Sequence, residues 1–245
     1  MKRRWIVLLS LCALLIFSVN VMADDQTKTD NTTGVYIAVT GGAAFPSDLE
    51  STLVDKAPGG GTIKHDISLD TGWFLGAKVG WQTPFSKRWF AVELEFNHME
   101  NSFDTGKHYN TVGVPLTYDS KVKVDTGMLN LIGRYPEGRI HPYVGVGGGY
   151  ANVQLDDIHS SIVGINLLNT SSGSEGVLAY QVMLGCDFDI TKNVFVGISY
   201  KYFAADTAKF DTNITSPFVP GVADPGTIEV KYKSHNVALT IGYLF

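Results

Sequence analysis

Ser234-His-Asn-Val-Ala-Leu-Thr-Ile-Gly-Tyr-Leu-Phe245 is the stretch on which the fold turns. Its alternate residues His235, Val237, Leu239, Ile241, Tyr243 and Phe245 are mostly apolar and end in two aromatics. Ser234, Asn236, Ala238, Thr240 and Gly242 between them are small or polar, and Leu244 is the one exception. A strand sends successive side chains to opposite faces, so this segment has one apolar wall and one small, polar wall. A closed membrane barrel needs such a strand, because its last strand must pair with its first and leave no backbone edge in lipid.

The same alternation recurs upstream from Gly34. Expected strands span about Gly34–Ala44, Leu69–Gln82, Trp89–Asn97, Lys123–Tyr135, Ile140–Val153, Val177–Asp189, Val194–Phe203 and Val230–Phe245. The second is the cleanest. Trp73, Leu75, Ala77, Val79 and Trp81 alternate with Phe74, Gly76, Lys78, Gly80 and Gln82. Short turns at Thr83–Lys87, Pro136–Arg139 and Ile190–Asn193 alternate with long connections at 45–68, 98–122, 154–176 and 204–229, which are rich in the residues of loops. Short turns on one rim and long loops on the other predict an all-β, eight-stranded antiparallel transmembrane β-barrel with short periplasmic turns and four long extracellular loops. A soluble β-sandwich or lipocalin-like cup needs its apolar face inward. Glycines crowd the non-apolar face here, which suits the interior of a small barrel. Aromatics gather near strand ends, where an interfacial girdle belongs: Trp73, Trp81, Trp89, Tyr135, Tyr200 and Tyr202, with Tyr243 and Phe245.

The start of the chain reads as an export signal. Met1-Lys-Arg-Arg4 is positive, Trp5–Val19 is apolar and uncharged, and Val21-Met-Ala23 suits a peptidase. Residues 1–23 are therefore expected to be a signal peptide, 24–33 a flexible polar leader, and 34–245 the barrel domain. The apolar run is shorter than the roughly 20 residues that span a bilayer as a helix. The 245-residue chain carries a formal net charge of -5, and removal of Lys2, Arg3 and Arg4 makes it more acidic, which argues against nucleic acid as a partner. Cys186 is then the only cysteine, so no intramolecular disulfide is expected.

Candidate chemistry lies on the inward face. Glu93, Glu95 and Asp187 are acidic there; Lys78, Arg134 and Lys201 are basic. An eight-stranded barrel is only wide enough for side chains to fill it. Buried charges must pair, so these six are expected to form a lumen charge network that plugs the barrel. A polar path for ions or small solutes is the competing reading. His65, His98, His108 and His159 fall in or beside loops without metal-ligand spacing, and with His141 and His235 they read as solvated polar residues. His159-Ser-Ser161 holds a His-x-Ser, and a hydroxyl nucleophile needs such a base, but a Ser-rich loop is a poor place for it. Cys186 reads as a small apolar filler facing lipid. No catalytic, metal-binding or cofactor-binding residue is assigned.

Several segments resemble a known family. Ala179-Tyr-Gln-Val-Met-Leu-Gly-Cys-Asp-Phe-Asp-Ile-Thr191 with Val196-Gly-Ile-Ser-Tyr-Lys-Tyr-Phe203 resembles its penultimate hairpin. His141-Pro-Tyr-Val-Gly-Val-Gly-Gly-Gly-Tyr-Ala151 resembles its glycine-rich fifth strand, Met128-Leu-Asn-Leu131 its fourth, and Tyr232-Lys-Ser-His-Asn-Val237 with Phe245 its last. The family is the small outer-membrane β-barrels of Gram-negative bacteria, the opacity-type and rickettsial major surface antigens, with the OmpA transmembrane barrel as a more distant relative. The resemblance implies a surface-exposed barrel in outer-membrane lipid, and relatives that serve as adhesins, antigens or small pores. It brings no shared catalytic residues and no cofactor. It also implies that Tyr243 and Phe245 belong to the signal read by the barrel-assembly machinery, with Thr240 where glycine is usual. No cell-wall-binding domain is expected to follow. A non-enzymatic scaffold whose loops bind a host or surface ligand is the leading expectation. A narrow porin-like channel is the alternative, and a lipid-modifying enzyme a remote one.

Overall fold

The computed structural model describes residues 34–47, 49–55, 62–67, 69–84, 88–102, 108–109, 115–116, 121–155, 158–162, 165–170, 173–215 and 223–245. The expected signal peptide and leader lie outside them. Eight strands form a closed antiparallel barrel: β1 Val35–Pro46, β2 Gly72–Gln82, β3 Phe90–Ser102, β4 Lys121–Arg134, β5 Ile140–Leu155, β6 Gly173–Asp189, β7 Val194–Ala205 and β8 Lys233–Leu244. Each strand pairs with its neighbours in the chain, and β8 closes on β1. The register can be followed round the wall from Tyr36 through Gly80, Glu93, Asn130, Gly147, Gln181, Phe203 and Ser234. It returns to β1 at Pro46, ten residues above its start. That shear tilts the strands by roughly 35–45° to the axis and sets a narrow, side-chain-filled lumen.

Alternation is preserved in burial. In β2 the outward Trp73, Leu75, Val79 and Trp81 are exposed, while Phe74, Lys78 and Gln82 are buried. In β8 Val237, Leu239, Ile241 and Tyr243 face out, and Ser234, Asn236, Ala238 and Thr240 are buried. Leu244, the one large apolar residue on the inward face of β8, keeps the alternation and packs against the apolar cluster at the turn end of the lumen.

Two expectations about the loop side are corrected. First, the strands run further than their apolar faces do. β3 reaches Ser102, β4 starts at Lys121, β5 reaches Leu155 and β6 starts at Gly173. The backbone ladder continues there, but its outward residues have become Glu100, Lys121, Lys123 and Gln154, so an apolar criterion stops too early. On the same side, two strands start later than expected: β2 at Gly72 rather than Leu69, and β8 at Lys233 rather than Val230.

Second, the long connections are not irregular throughout. Three of them hold hairpins: Leu49–Asp55 with Thr62–Ile67, Ile158–Ile162 with Ile165–Thr170, and Ala208–Thr215 with Ala223–Lys231. These join into one six-stranded sheet, in which Ile165–Thr170 pairs with Ala208–Thr215 and Ala223–Lys231 with Leu49–Asp55. The three connections leave the rim at β5–β6, β7–β8 and β1–β2. Neighbouring hairpins therefore meet edge to edge, which satisfies backbone groups an isolated hairpin would leave unpaired. The remaining long connection carries a short ladder of its own, His108–Tyr109 with Pro115–Leu116.

Candidate functional site

The lumen is layered. Its centre is built on β3, where Glu93 and Glu95 stand two residues apart on the inward face, 2% and 0% exposed. Lys78 of β2 lies 3.0 Å from Glu93. Lys201 of β7, from across the barrel, forms an ion pair with Glu95. Neutral polar groups complete the arrangement. Asn130 donates to Glu93 Oε1 and to Glu95 Oε2, both at 3.0 Å. Gln181 donates to Glu95 Oε2 at 2.9 Å and to Asn130 Oδ1 at 2.8 Å. The Tyr36 hydroxyl donates to Glu93 Oε2 at 2.9 Å. Gly80, opposite Glu93, leaves the space that the Tyr36 ring needs to reach it; a Cβ there would meet that ring. Two lysines thus answer two glutamates, and the amide hydrogens of Asn130 and Gln181 satisfy carboxylate lone pairs the lysines do not reach.

Apolar layers lie on either side. Toward the loops, Phe74, Met99, Met128, Phe203, Val124, Val153 and Tyr232 belong to one buried cluster that continues to Phe210 and Val230 of the outer sheet. The Lys201 ammonium sits 5.8 Å from the Phe74 ring centroid, at the join between the layers. Above the wall, the Tyr232 hydroxyl donates to Asn101 Oδ1 at 2.7 Å, and burial pushes its phenol well above the usual tyrosine range. Toward the turns, Tyr36, Ala91, Ile132, Tyr143, Met183 and Phe195 form a second cluster, with Tyr36 and Phe195 edge to face at 5.8 Å.

Of the six lumen charges expected from sequence, Lys78, Glu93, Glu95 and Lys201 meet at the centre. Arg134 and Asp187 do not join them. They lie at the turn ends of β4 and β6, where Arg134 Nε and Asp187 Oδ1 are buried without a hydrogen bond. Tyr36, Asn130 and Gln181 were not singled out from the sequence, although alternation puts them on the inward face. A neutral polar residue inside a filled barrel was the available signal.

Several histidine expectations need correction. His141 is not solvated: it is 4% exposed, with Nδ1 2.9 Å from the Tyr135 carbonyl and Nε2 3.1 Å from Asp189 Oδ2. His98 lies within β3, faces outward and pairs with Asp125 at 2.6 Å. His235 packs on Tyr200 and Tyr202. His65, His108 and His159 lie in strands of the loop region, and Ser160 and Ser161 share that of His159; their side chains fall outside the described residues. Cys186 stands on the lipid-facing side of β6, half-buried. Among the described residues no group of His, Cys, Asp and Glu could hold a metal ion.

On the outer wall, Trp81, Trp89, Tyr135, Tyr243 and Phe245 lie at the turn end. Trp89 and Tyr135 meet edge to face at 5.7 Å, and Tyr243 and Phe245 at 4.9 Å. Trp73 and Tyr202 lie at the loop end, joined there by Tyr150 and Tyr180, which are additions to the expected girdle. Tyr200 sits two residues deeper than Tyr202, within the apolar wall. Above the loop-end aromatics the outward residues become polar: Gln154 donates to Asp125 at 3.0 Å, and Lys121 to Glu100 at 2.8 Å. In the outer sheet a hydrogen bond to Glu229 raises Lys209 above the usual lysine range.

An apolar wall, aromatics at both margins and a closed ladder define a transmembrane β-barrel. The chain belongs to the outer membrane protein β-barrel domain family, whose model matches residues 9–245. It is accordingly an outer-membrane protein. Among solved structures it is similar to the outer membrane protein OprG of Pseudomonas aeruginosa, at 16% identity over 87% of this chain and 97% of that one, with a TM-score of 0.51. It also matches Neisserial surface protein A at 12% identity, covering 88% and 99%, with a TM-score of 0.41. A third match is the outer membrane protease OmpT of Escherichia coli at 10% identity, covering 91% and 100%, with a TM-score of 0.45. The OprG likeness shows the fold alone. The comparison with curated proteins returned no match.

Proposed function

We propose that this protein is a non-enzymatic scaffold of the outer membrane that presents its outer sheet to a ligand on a host cell or another surface. The observation that carries the reading is the joining of three loop hairpins into one six-stranded sheet above the barrel. Loops that only connect strands have no need to share a ladder. Loops that bind gain from one, because a pre-ordered surface loses less conformational freedom on association. The filled lumen supports the same reading. A central ion network packed between apolar clusters leaves side chains where a channel needs water.

The test replaces the three hairpins, singly and together, by short turns and measures adhesion of expressing cells to host cells. Heat-modifiable mobility verifies that each barrel has folded. Loss of adhesion on joint replacement is the expected result; unchanged adhesion would overturn the reading. A planar bilayer recording of the refolded protein should be silent, and steady conductance steps would favour the porin-like channel instead.

The proposal extends to biogenesis. Residues 1–23 act as the cleaved export signal, and Tyr243 and Phe245, exposed at the turn end, are read by the barrel-assembly machinery. Changing both aromatics to alanine should lower the folded fraction in cells while purified chains still refold in detergent.

A further inference from the structure

The loop end of the outer wall is not uniform around the barrel. On β6, β7 and β8 it gathers Tyr180, Tyr200, Tyr202 and His235. The Tyr200 hydroxyl oxygen lies 2.6 Å from His235 Nδ1, and the two rings stack at 5.9 Å. Tyr202 meets the same imidazole at 5.2 Å and Tyr180 at 6.4 Å. Lys233 follows two residues above His235 on the same face, its ammonium 2.8 Å from Glu50 of the outer sheet. Below the rings the wall is exposed and apolar, at Val182, Ile198 and Leu239. Across the barrel, the corresponding level of β3 and β4 is lined instead by His98 with Asp125 and Glu100 with Lys121, without a group of stacked tyrosines among the described residues.

We propose that the Tyr180–Tyr202–His235–Lys233 patch binds the headgroup of one phosphorylated glycolipid of the outer leaflet. An ordinary girdle aromatic needs only to place an amphipathic ring at the interface and its polar tip in the headgroups. Tyr200 does otherwise. It lies deeper in the wall and commits its hydroxyl to His235, which fixes the imidazole between two tyrosine rings. The result is an aromatic surface ordered before any ligand arrives, and pre-ordering lowers the cost of binding. The C–H faces of a sugar ring pack on such a surface, and the tyrosine hydroxyls at its margin offer hydrogen bonds. The Lys233 ammonium has three donors, of which Glu50 takes one. The others can meet a phosphate, and acyl chains then run down the apolar wall beneath. A neutral sterol-like lipid would leave Lys233 unanswered, and a phospholipid would leave the ring surface bare.

The test is native mass spectrometry of the full chain, refolded in detergent with either diphosphorylated lipid A or phosphatidylethanolamine. The wild-type protein is expected to retain about tenfold more lipid A than phospholipid, a difference of about 1.4 kcal/mol. Lys233→Gln and the double variant Tyr180→Ala with Tyr202→Ala are each expected to lose most of that adduct while keeping heat-modifiable mobility. Tyr150→Ala, elsewhere on the same rim, should retain it. Equal retention in the variants, an equal loss in Tyr150→Ala, or no preference over phospholipid would overturn the proposal. So would equal binding of lipid A stripped of its phosphates. Lys233 is partly exposed, so its glutamine variant still decides the matter if the tyrosine pair fails to fold.

Discussion

The centre of the lumen and its loop end are filled by opposite means. At the centre, Glu93, Glu95, Lys78 and Lys201 are buried in a network where every member depends on another. At the loop end, Phe74, Met99, Phe203 and Val153 fill a similar cross-section mainly with apolar side chains, although Met99 Sδ accepts from Asn236 at 3.9 Å. The difference lies in what each tolerates. An apolar layer loses stability in proportion to the volume removed. An ionic layer loses little when both partners leave together and much when one leaves alone.

The largest expected effect follows directly. Glu95→Ala strips Lys201 of its acid and both Asn130 and Gln181 of an acceptor, and should cost about 3–5 kcal/mol, read from the urea midpoint of refolding in detergent. The companion variant Glu95→Gln with Lys201→Met should recover most of that loss. If the double variant is as unstable as Glu95→Ala, the centre is held by something other than paired charge. Next comes Met99→Ala in the loop-end layer, expected to cost about 2–5 kcal/mol, with a second deletion beside it adding further loss rather than rescuing. Rescue there would erase the contrast between the layers.

Smaller effects sharpen the boundary. Tyr232→Phe removes the bond to Asn101 Oδ1 at the top of the apolar layer, while the Asn101 amide keeps the carbonyls of Ala44 and Asp70. Its cost should be about 1 kcal/mol by the same measurement. Glu229→Gln, on the outer sheet, should leave the unfolding midpoint unchanged and return the Lys209 titration toward the ordinary lysine value, observable by NMR. A shifted midpoint would mean that the sheet and the barrel unfold as one unit.

Much of the barrel was legible from the chain because a wall with lipid on one side and side chains on the other imposes a two-residue period. That period separated Glu93 and Glu95 from Val92 and Leu94 and put Lys78 and Lys201 inside. It failed where lipid ends. Beyond His98 and Asp125 the alternation inverts, with Met99, Val122, Val124 and Val153 buried inside and Glu100, Lys121, Lys123 and Gln154 outside, so a search for an outward apolar face stops short of the ends of β3, β4, β5 and β6. The loop hairpins were hidden for a related reason. Their strands are short, lie among Pro, Gly, Asn and Ser, and gain stability from pairing between connections far apart in sequence.

The sequence alone determined that there are eight wall strands, which face of each meets lipid, and which charges lie within. These follow from local alternation and from the cost of leaving backbone or charge unsatisfied in an apolar medium. Tertiary structure alone decided that Lys78 answers Glu93 and Lys201 answers Glu95, that Arg134 and Asp187 stand apart at the turn end, and that three loops share one sheet. Those outcomes depend on register and shear. A ten-residue offset around the closed wall sets which inward positions share a level, and no local pattern in the chain encodes that offset.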